Sequence, residues 1–111
     1  MAILHRESAY LWYYFTLQLY QIFRYISVMN NLSVDCDCDS NPAAPDMHDI
    51  GILASIDPVA LDQACVDLVY AAEDGQSLVN RIESRNGIHT LEHAEKIGFG
   101  SRDYQIVSID G

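Results

Sequence analysis

Two cysteines, Cys36 and Cys38, alternate with three aspartates, Asp35, Asp37 and Asp39, in a run of five residues. Thiolates are soft metal donors and carboxylates hard ones, so the run concentrates negative charge that a cation, a basic partner or solvent must relieve. On an extended backbone, successive side chains leave opposite faces, which would turn both sulfurs one way and the three carboxylates the other. Two thiolates on one face begin a site for a soft or borderline metal. The candidate ligands are Cys36, Cys38, Asp37, Asp46 and His48, with Cys65 as a further thiol. A lone C-x-C pair is a weaker signal than two C-x-x-C pairs, and a solvated acidic loop carrying two small thiols is the competing reading. A cuboidal iron-sulfur cluster takes four thiolates, whereas this sequence has three cysteines.

Other reactive side chains have plainer explanations. His48 stands between Asp46 and Asp49. A carboxylate neighbour can orient an imidazole for ligation or proton transfer, and an exposed loop histidine acquires such neighbours by chance as well. Cys65 follows Ala64 on an apolar stripe, where a cysteine packs as a small hydrophobe. Asp57 before Pro58 reads as a helix cap. His89-Thr90-Leu91-Glu92-His93 matches the H-x-x-E-H pattern of inverted zinc peptidases, but a helix starting at Thr90 would leave His89 outside it. Only eighteen residues remain for a third ligand, so a solvent-facing helix start is the expectation. There is no glycine-rich phosphate loop and no G-x-S-x-G elbow. Gly98-Phe99-Gly100 follows a helix rather than opening one. No reaction can be assigned from these residues.

The elements that would position these groups follow from periodicity. Residues 9–29 are rich in aromatic and aliphatic side chains, and Gln18, Gln21 and Arg24 interrupt the run before the roughly 20 apolar residues a membrane span needs. We expect a helix over 8–21 and a strand over 24–32, although aromatic and β-branched content suits a strand in both. Asn41-Pro42-Ala43-Ala44-Pro45-Asp46 has loop chemistry. Residues 50–56 read as a buried strand and 57–71 as a capped helix. That helix carries Leu61, Ala64, Cys65, Leu68 and Ala72 on one stripe and Val59, Val66 and Tyr70 on another. Helices are expected over 77–84 and 90–97, the latter with Leu91, Ala94 and Ile97 inward and Gly98 as its stop. Asn86-Gly87 is a turn, and 104–109 a last strand.

Composition bounds the function. The chain has 111 residues, half of them hydrophobic, which suits one small domain. Six Lys and Arg against sixteen Asp and Glu give a net charge of -10, a balance that repels nucleic acid and anionic lipid. From Tyr25 to Asn80 there are ten acidic residues and no Lys or Arg, so a cation or a basic protein partner is the ligand expected. Neighbouring Cys36 and Cys38 are too close for a relaxed disulfide. The start lacks the pattern of a signal peptide, so a cytoplasmic location and no membrane partner are expected.

A resemblance adds to this reading. The run Val28 to Asp39, then Pro45-Asp46-Met47-His48-Asp49-Ile50-Gly51-Ile52-Leu53-Ala54-Ser55, then Asp57-Pro58-Val59-Ala60-Leu61-Asp62-Gln63-Ala64-Cys65, and Arg81-Ile82-Glu83-Ser84 resemble the C-terminal portion of the domain of unknown function 362 family. Its members are often labelled uncharacterised iron-sulfur-centre proteins and are several times longer, some with ferredoxin-type cysteine clusters. The resemblance covers about 25–110. Strand, helix, helices and strand in that order suggest an α/β fold, a small layered sheet with three or four helices, and the resemblance makes it a fragment of a larger α/β fold. Residues 1–24 are expected to be an aromatic-rich helical segment not matching the family, and 25–111 the family's domain. An iron-sulfur cluster or a divalent metal such as zinc is the implied cofactor. The alternative expectation is a non-catalytic fragment acting in self-association, with a homodimer formed through Trp12 and Phe15.

Overall fold

The computed structural model describes residues 2–5, for which only the backbone is considered, and residues 23–110. The elements in order are β1 (Ala2–His5), β2 (Tyr25–Met29), β3 (Gly51–Ser55), α1 (Pro58–Ala71), α2 (Gln76–Ser84), α3 (Ile88–Lys96) and β4 (Gln105–Ser108). The strands form one mixed sheet in the order β2-β3-β1-β4. β2 and β3 are antiparallel, with Ile26 opposite Ala54 and Val28 opposite Ile52. β3 and β1 are parallel, and β1 and β4 antiparallel. An α/β fold is thus what the chain adopts, as expected. The helix expected over 8–21 lies outside the described residues. The helical reading of 1–24 does not extend to Ala2–His5, which supplies an inner strand flanked by β3 and β4. Four residues without alternation carry no strand signal of their own; their neighbours in the sheet make them one.

The sheet is two-faced because side chains alternate along each strand. On β2, Met29 points inward and is 4% exposed, while Ile26 and Val28 leave the other face at 65% and 58%. Leu53 and Ser55 of β3 are buried on the inner side. Against that side lies α1, which also carries α2 and α3 on its flanks. Met29, Met47, Leu53, Leu61, Ala64 and Val69 form the core, with Cys65, Leu68 and Ala72 packed on it. The expected stripe of α1 is therefore its core face. Val59 of the second patch is buried too, whereas Tyr70 is exposed.

Local chemistry sets the boundaries. β2 stops short of the expected residue 32 because Asn31 takes the left-handed conformation (φ 53°), and Asp49 Oδ1 accepts its N–H at 2.7 Å. At α1, Asp57 Oδ1 accepts the N–H groups of Val59 and Ala60 at 2.9 and 3.2 Å, with Pro58 in the first turn. The cap is what the sequence predicts. Its other oxygen accepts the N–H of Ser101 at 3.0 Å, drawing the segment after α3 to the head of α1. Gly100 makes this approach feasible, since a Cβ there would meet Asp57 Oδ1 and come within 2.8 Å of Val59. α3 begins at Ile88, not at Thr90, so His89 lies within it. Leu91 is buried, but Ile97 follows the last helical residue and is 64% exposed instead of facing inward. Gly98 stops the helix with φ 79°.

A second polar link joins α1 to the entry of β4. Gln63 Nε2 donates to Asp67 Oδ1 at 2.8 Å, Arg102 Nε donates to Gln63 Oε1 at 2.7 Å, and Tyr104 Oη donates to Asp67 Oδ2 at 2.5 Å. Burial, together with this bond to a carboxylate, pushes the Tyr104 phenol up to about 12.

Asp57→Ala, which removes the cap and the acceptor for Ser101, is expected to cost about 1–2 kcal/mol. Leu53→Ala, which opens a cavity under α1, is expected to cost about 2–5 kcal/mol. Urea denaturation followed by circular dichroism measures both, and an Asp57 variant as stable as the parent would refute the cap's role. Because Tyr104 ionises less readily in the fold than at its ordinary value of 10.0, its contribution is complete below pH 10. It is lost as pH rises through about 12. The midpoint of the parent should therefore fall over that window more steeply than that of Tyr104→Phe; parallel curves would contradict this.

Candidate functional site

Residues 30–50 join the antiparallel neighbours β2 and β3 by a long excursion instead of a tight turn. Its base is closed by the Ile50 N–H, which donates to Met29 O at 2.9 Å. Met47 plugs into the core at 8% exposure. A loop of this length inside a small domain needs tie points to be ordered, and side chains supply them. Ser33 Oγ donates to Ala43 O at 2.6 Å, and the Ala43 N–H donates to Asp35 Oδ2 at 2.9 Å, so the loop folds back on itself. Arg81 of α2 donates from Nη1 to Val34 O at 2.7 Å and from Nη2 to Asp35 Oδ1 at 3.1 Å. The Ala43 N–H and then the Arg81 guanidinium hold the Asp35 carboxyl below its ordinary value. Asp46 accepts from Ser77 Oγ at the start of α2. His48 donates its N–H to Asp74 Oδ2 at 2.7 Å, and its Nδ1 lies 2.8 Å from Asp74 Oδ1. These two bonds, the backbone one first, keep the Asp74 carboxyl below its usual range.

The cysteines sit at the free end of this anchored loop. Both are exposed, and the backbone around them is a turn closed by the Asp39 N–H donating to Cys36 O at 3.0 Å. The extended geometry considered for the sequence does not occur. The turn still brings the two residues together: the Cys38 N–H donates to Cys36 Sγ at 3.3 Å, and the Cys36 thiol reaches Asp37 Oδ1 at 3.5 Å. Contact with the Cys38 thiol pushes the Cys36 thiol up, as does the Asp37 carboxylate. Asp39 Oδ1 accepts the Asn41 N–H at 2.9 Å and finishes the turn.

The expected ligand set is therefore divided. Cys36, Cys38 and Asp37 share the turn, while Asp46 and His48 are engaged with α2 and with the corner between α1 and α2. Among the described residues no group of three or more His, Cys, Asp and Glu could hold a metal ion. Cys65 is half-buried on α1, where burial pushes its thiol up and Ser27 opposes the shift. It packs on the core as expected and is not part of the turn. Three thiolates so divided do not fit a cuboidal cluster within this chain. The residues that sequence reasoning missed are Arg81, Asp74 and Ser77. The signals at Arg81 were its place in the Arg81–Ser84 block that carries the resemblance and its being the first basic residue after the run of 25–80 that has none.

Below the His48–Asp74 pair lies an open groove of ≈ 570 Å³, lined by Ile50, Leu68, Ala71, Ala72 and Glu73 as well as that pair. The aromatic N-terminal residues to which dimerisation was assigned, Trp12 and Phe15, lie outside the described residues. Among the described residues, no helix is long and apolar enough to cross a membrane.

The sequence model described as Domain of unknown function (DUF362) matches residues 5–67, more than half of the chain, and the protein belongs to that family. The match takes in 5–24, which was expected to fall outside the family, with β2, the whole cysteine-bearing loop, β3 and most of α1, and it ends before the Arg81–Ser84 block. No curated protein and no solved structure matches it.

The anchor makes a testable statement about the loop. Replacing Arg81 by Ala removes two hydrogen bonds and leaves the Asp35 carboxylate without its cation, so a broad-specificity protease should cut within 33–44 several-fold faster than in the parent. Arg85→Ala, in which an exposed side chain on the same helix end is removed, serves as the control. Equal cleavage of all three chains, read by mass spectrometry, would show that Arg81 does not order the loop.

Proposed function

We propose that the chain is a metal-associated module in which the Cys36–Cys38 turn presents two thiolates to a soft or borderline divalent cation such as zinc. The observation that carries this reading is the contact between the two cysteines at the tip of a loop tied down by Asp35 and Arg81. An anchored turn lowers the entropy lost when its donors converge on an ion. Asp37, already within reach of Cys36 Sγ, is the nearest oxygen donor. Asp46 and His48 have other partners, so water or a partner protein would complete the coordination. A metal bound in this way would suit a metal-handling module, or the metal-holding part of a redox-associated protein, that meets a basic partner. The acidic surface supports such a partner, since charge complementarity speeds encounter.

A second reading, self-association without metal, rests on exposed Phe23, Ile26 and Val28. One experiment separates the two. Protein purified without oxygen is assayed for metal content and titrated with zinc, beside the Cys36→Ser, Cys38→Ser double variant, with the oligomeric state followed by sedimentation. The metal reading expects zinc uptake that the double variant loses. It also expects affinity to rise with pH, because each bound thiol must release a proton and the Cys36 thiol is held above its ordinary value of 9.0. Uptake unchanged in the double variant, or none in either, would defeat this reading; a concentration-dependent dimer insensitive to both cysteines would support the second.

A further inference from the structure

Helix α3 carries a pair of imidazoles that the cysteine turn does not use. Because the helix begins at Ile88, both His89 and His93 are helical and lie one turn apart on the same face. Their ring centroids are 6.3 Å apart and their planes are inclined by 36°. Both residues are exposed, with the His89 side chain at 68%. Glu92 Oε2 lies 3.7 Å from His89 Nδ1, beyond hydrogen-bond distance in the free chain but near enough for a rotamer change to let the carboxylate orient the imidazole and leave Nε2 free. Arg102 Nη1 stands 3.9 Å from Glu92 Oε1, so the guanidinium is set against the carboxylate.

We propose that His89 and His93 form a two-imidazole chelating site for a borderline divalent transition-metal ion, with Glu92 as the positioning carboxylate. The geometry can be tested by arithmetic. With metal–nitrogen distances near 2.0–2.1 Å and tetrahedral angles, two bound imidazoles have centroids about 5 Å apart. The rings of the free chain are therefore about 1 Å too far apart, a gap that rotation of two exposed side chains closes without moving the backbone. The helix dipole favours positive charge at His93 in the last turn of α3 and opposes it at His89 in the first, so the electrostatic attraction comes from the net charge of -10, which draws cations to the surface. Lys96 lies in the last turn of α3, Arg102 Nη1 is set against Glu92, and Glu95 Oε2 accepts the Arg102 backbone N–H at 2.6 Å. Two protein ligands leave open positions for water or for a donor from another molecule. The class of ion follows from the donors: imidazole suits zinc, nickel and copper(II), and not calcium or magnesium.

The proposal is independent of the cysteine turn, and the test keeps them apart. Untagged full-length protein carrying Cys36→Ser and Cys38→Ser is titrated with nickel and, separately, with zinc. Calorimetry gives the affinity, and the histidine ring protons in NMR spectra report which imidazoles respond. His93→Gln, His89→Gln and His48→Gln are made in the same background; all three positions are exposed, so the fold should tolerate them. The expected result is one saturable ion per chain that perturbs two imidazoles. His89→Gln or His93→Gln should weaken binding by at least about tenfold, the loss seen when even an outer partner of a metal ligand is removed. His48→Gln should leave binding unchanged. Absence of saturable binding, binding undiminished in His93→Gln, or equal loss in His48→Gln would overturn the proposal.

Discussion

The carboxylate of Asp57 is the point at which three parts of the chain meet. It is 6% exposed, and it receives two N–H groups of the first turn of α1 and one from Ser101. Its own N–H is held by Ser55 Oγ at the end of β3, at 3.0 Å. A buried carboxylate is costly unless its lone pairs are filled, and here the backbone fills them. The arrangement fixes where β3 ends, where α1 begins, and where the chain returns to add β4. Gly100 is part of the same constraint, because any side chain there would compete for the space that Asp57 and Val59 occupy.

With β3 and α1 set in this way, the excursion over 30–50 has a platform to lean on. Beyond the bonds the loop makes to itself and to β2, its tie points come from elements placed by α1: Asp74 just beyond its end, Ser77 and Arg81 on α2, which packs on it. The loop's carboxylates are thus treated unequally. Asp35 pairs with the Arg81 guanidinium, Asp39, Asp46 and Asp49 each accept a backbone or hydroxyl hydrogen bond, and Asp37 and Asp39 remain exposed beside the cysteines. Negative charge that the fold does not compensate is left at the tip, next to the thiols. That distribution is the physical basis for reading the tip as the part that meets a cation or a basic surface.

Much of this was legible in the sequence where the signal is local. Asp57-Pro58 marks the cap and α1 its two apolar stripes; Gly98 and Asn86-Gly87 mark stops that the backbone confirms with positive φ at Gly98 and Asn86. The last strand was placed within a residue of Gln105–Ser108. What failed was non-local. β1 is a strand because β3 and β4 pair with it. His48 and Asp46 were expected to look toward the cysteines, and instead they bond Asp74 and Ser77, which are 26 and 31 residues further along the chain. No periodicity reports such a pairing. The start of α3 was misplaced by two residues, a small error in backbone terms that nonetheless decided whether His89 and His93 share a helical face.

The two histidines and the two cysteines illustrate different ways in which a short motif gains meaning from its backbone. On an extended strand, residues i and i+2 share a face, and this was the basis for pairing Cys36 with Cys38. The backbone there is a turn, and the pairing survives for another reason, since the turn folds the Cys38 N–H onto Cys36 Sγ. On a helix, i and i+4 share a face, and this holds for His89 and His93 only because Asn86 and Gly87 break the chain early enough for Ile88 to open α3. The Gly87 N–H donates to Ile82 O at 2.8 Å, closing α2, and the His89 N–H donates to Asn86 O at 3.1 Å, starting the next helix at once. A longer connection would have moved His89 off the helix. The turn chemistry of Asn86-Gly87, which has no reactive group of its own, is thereby what places both imidazoles on one surface.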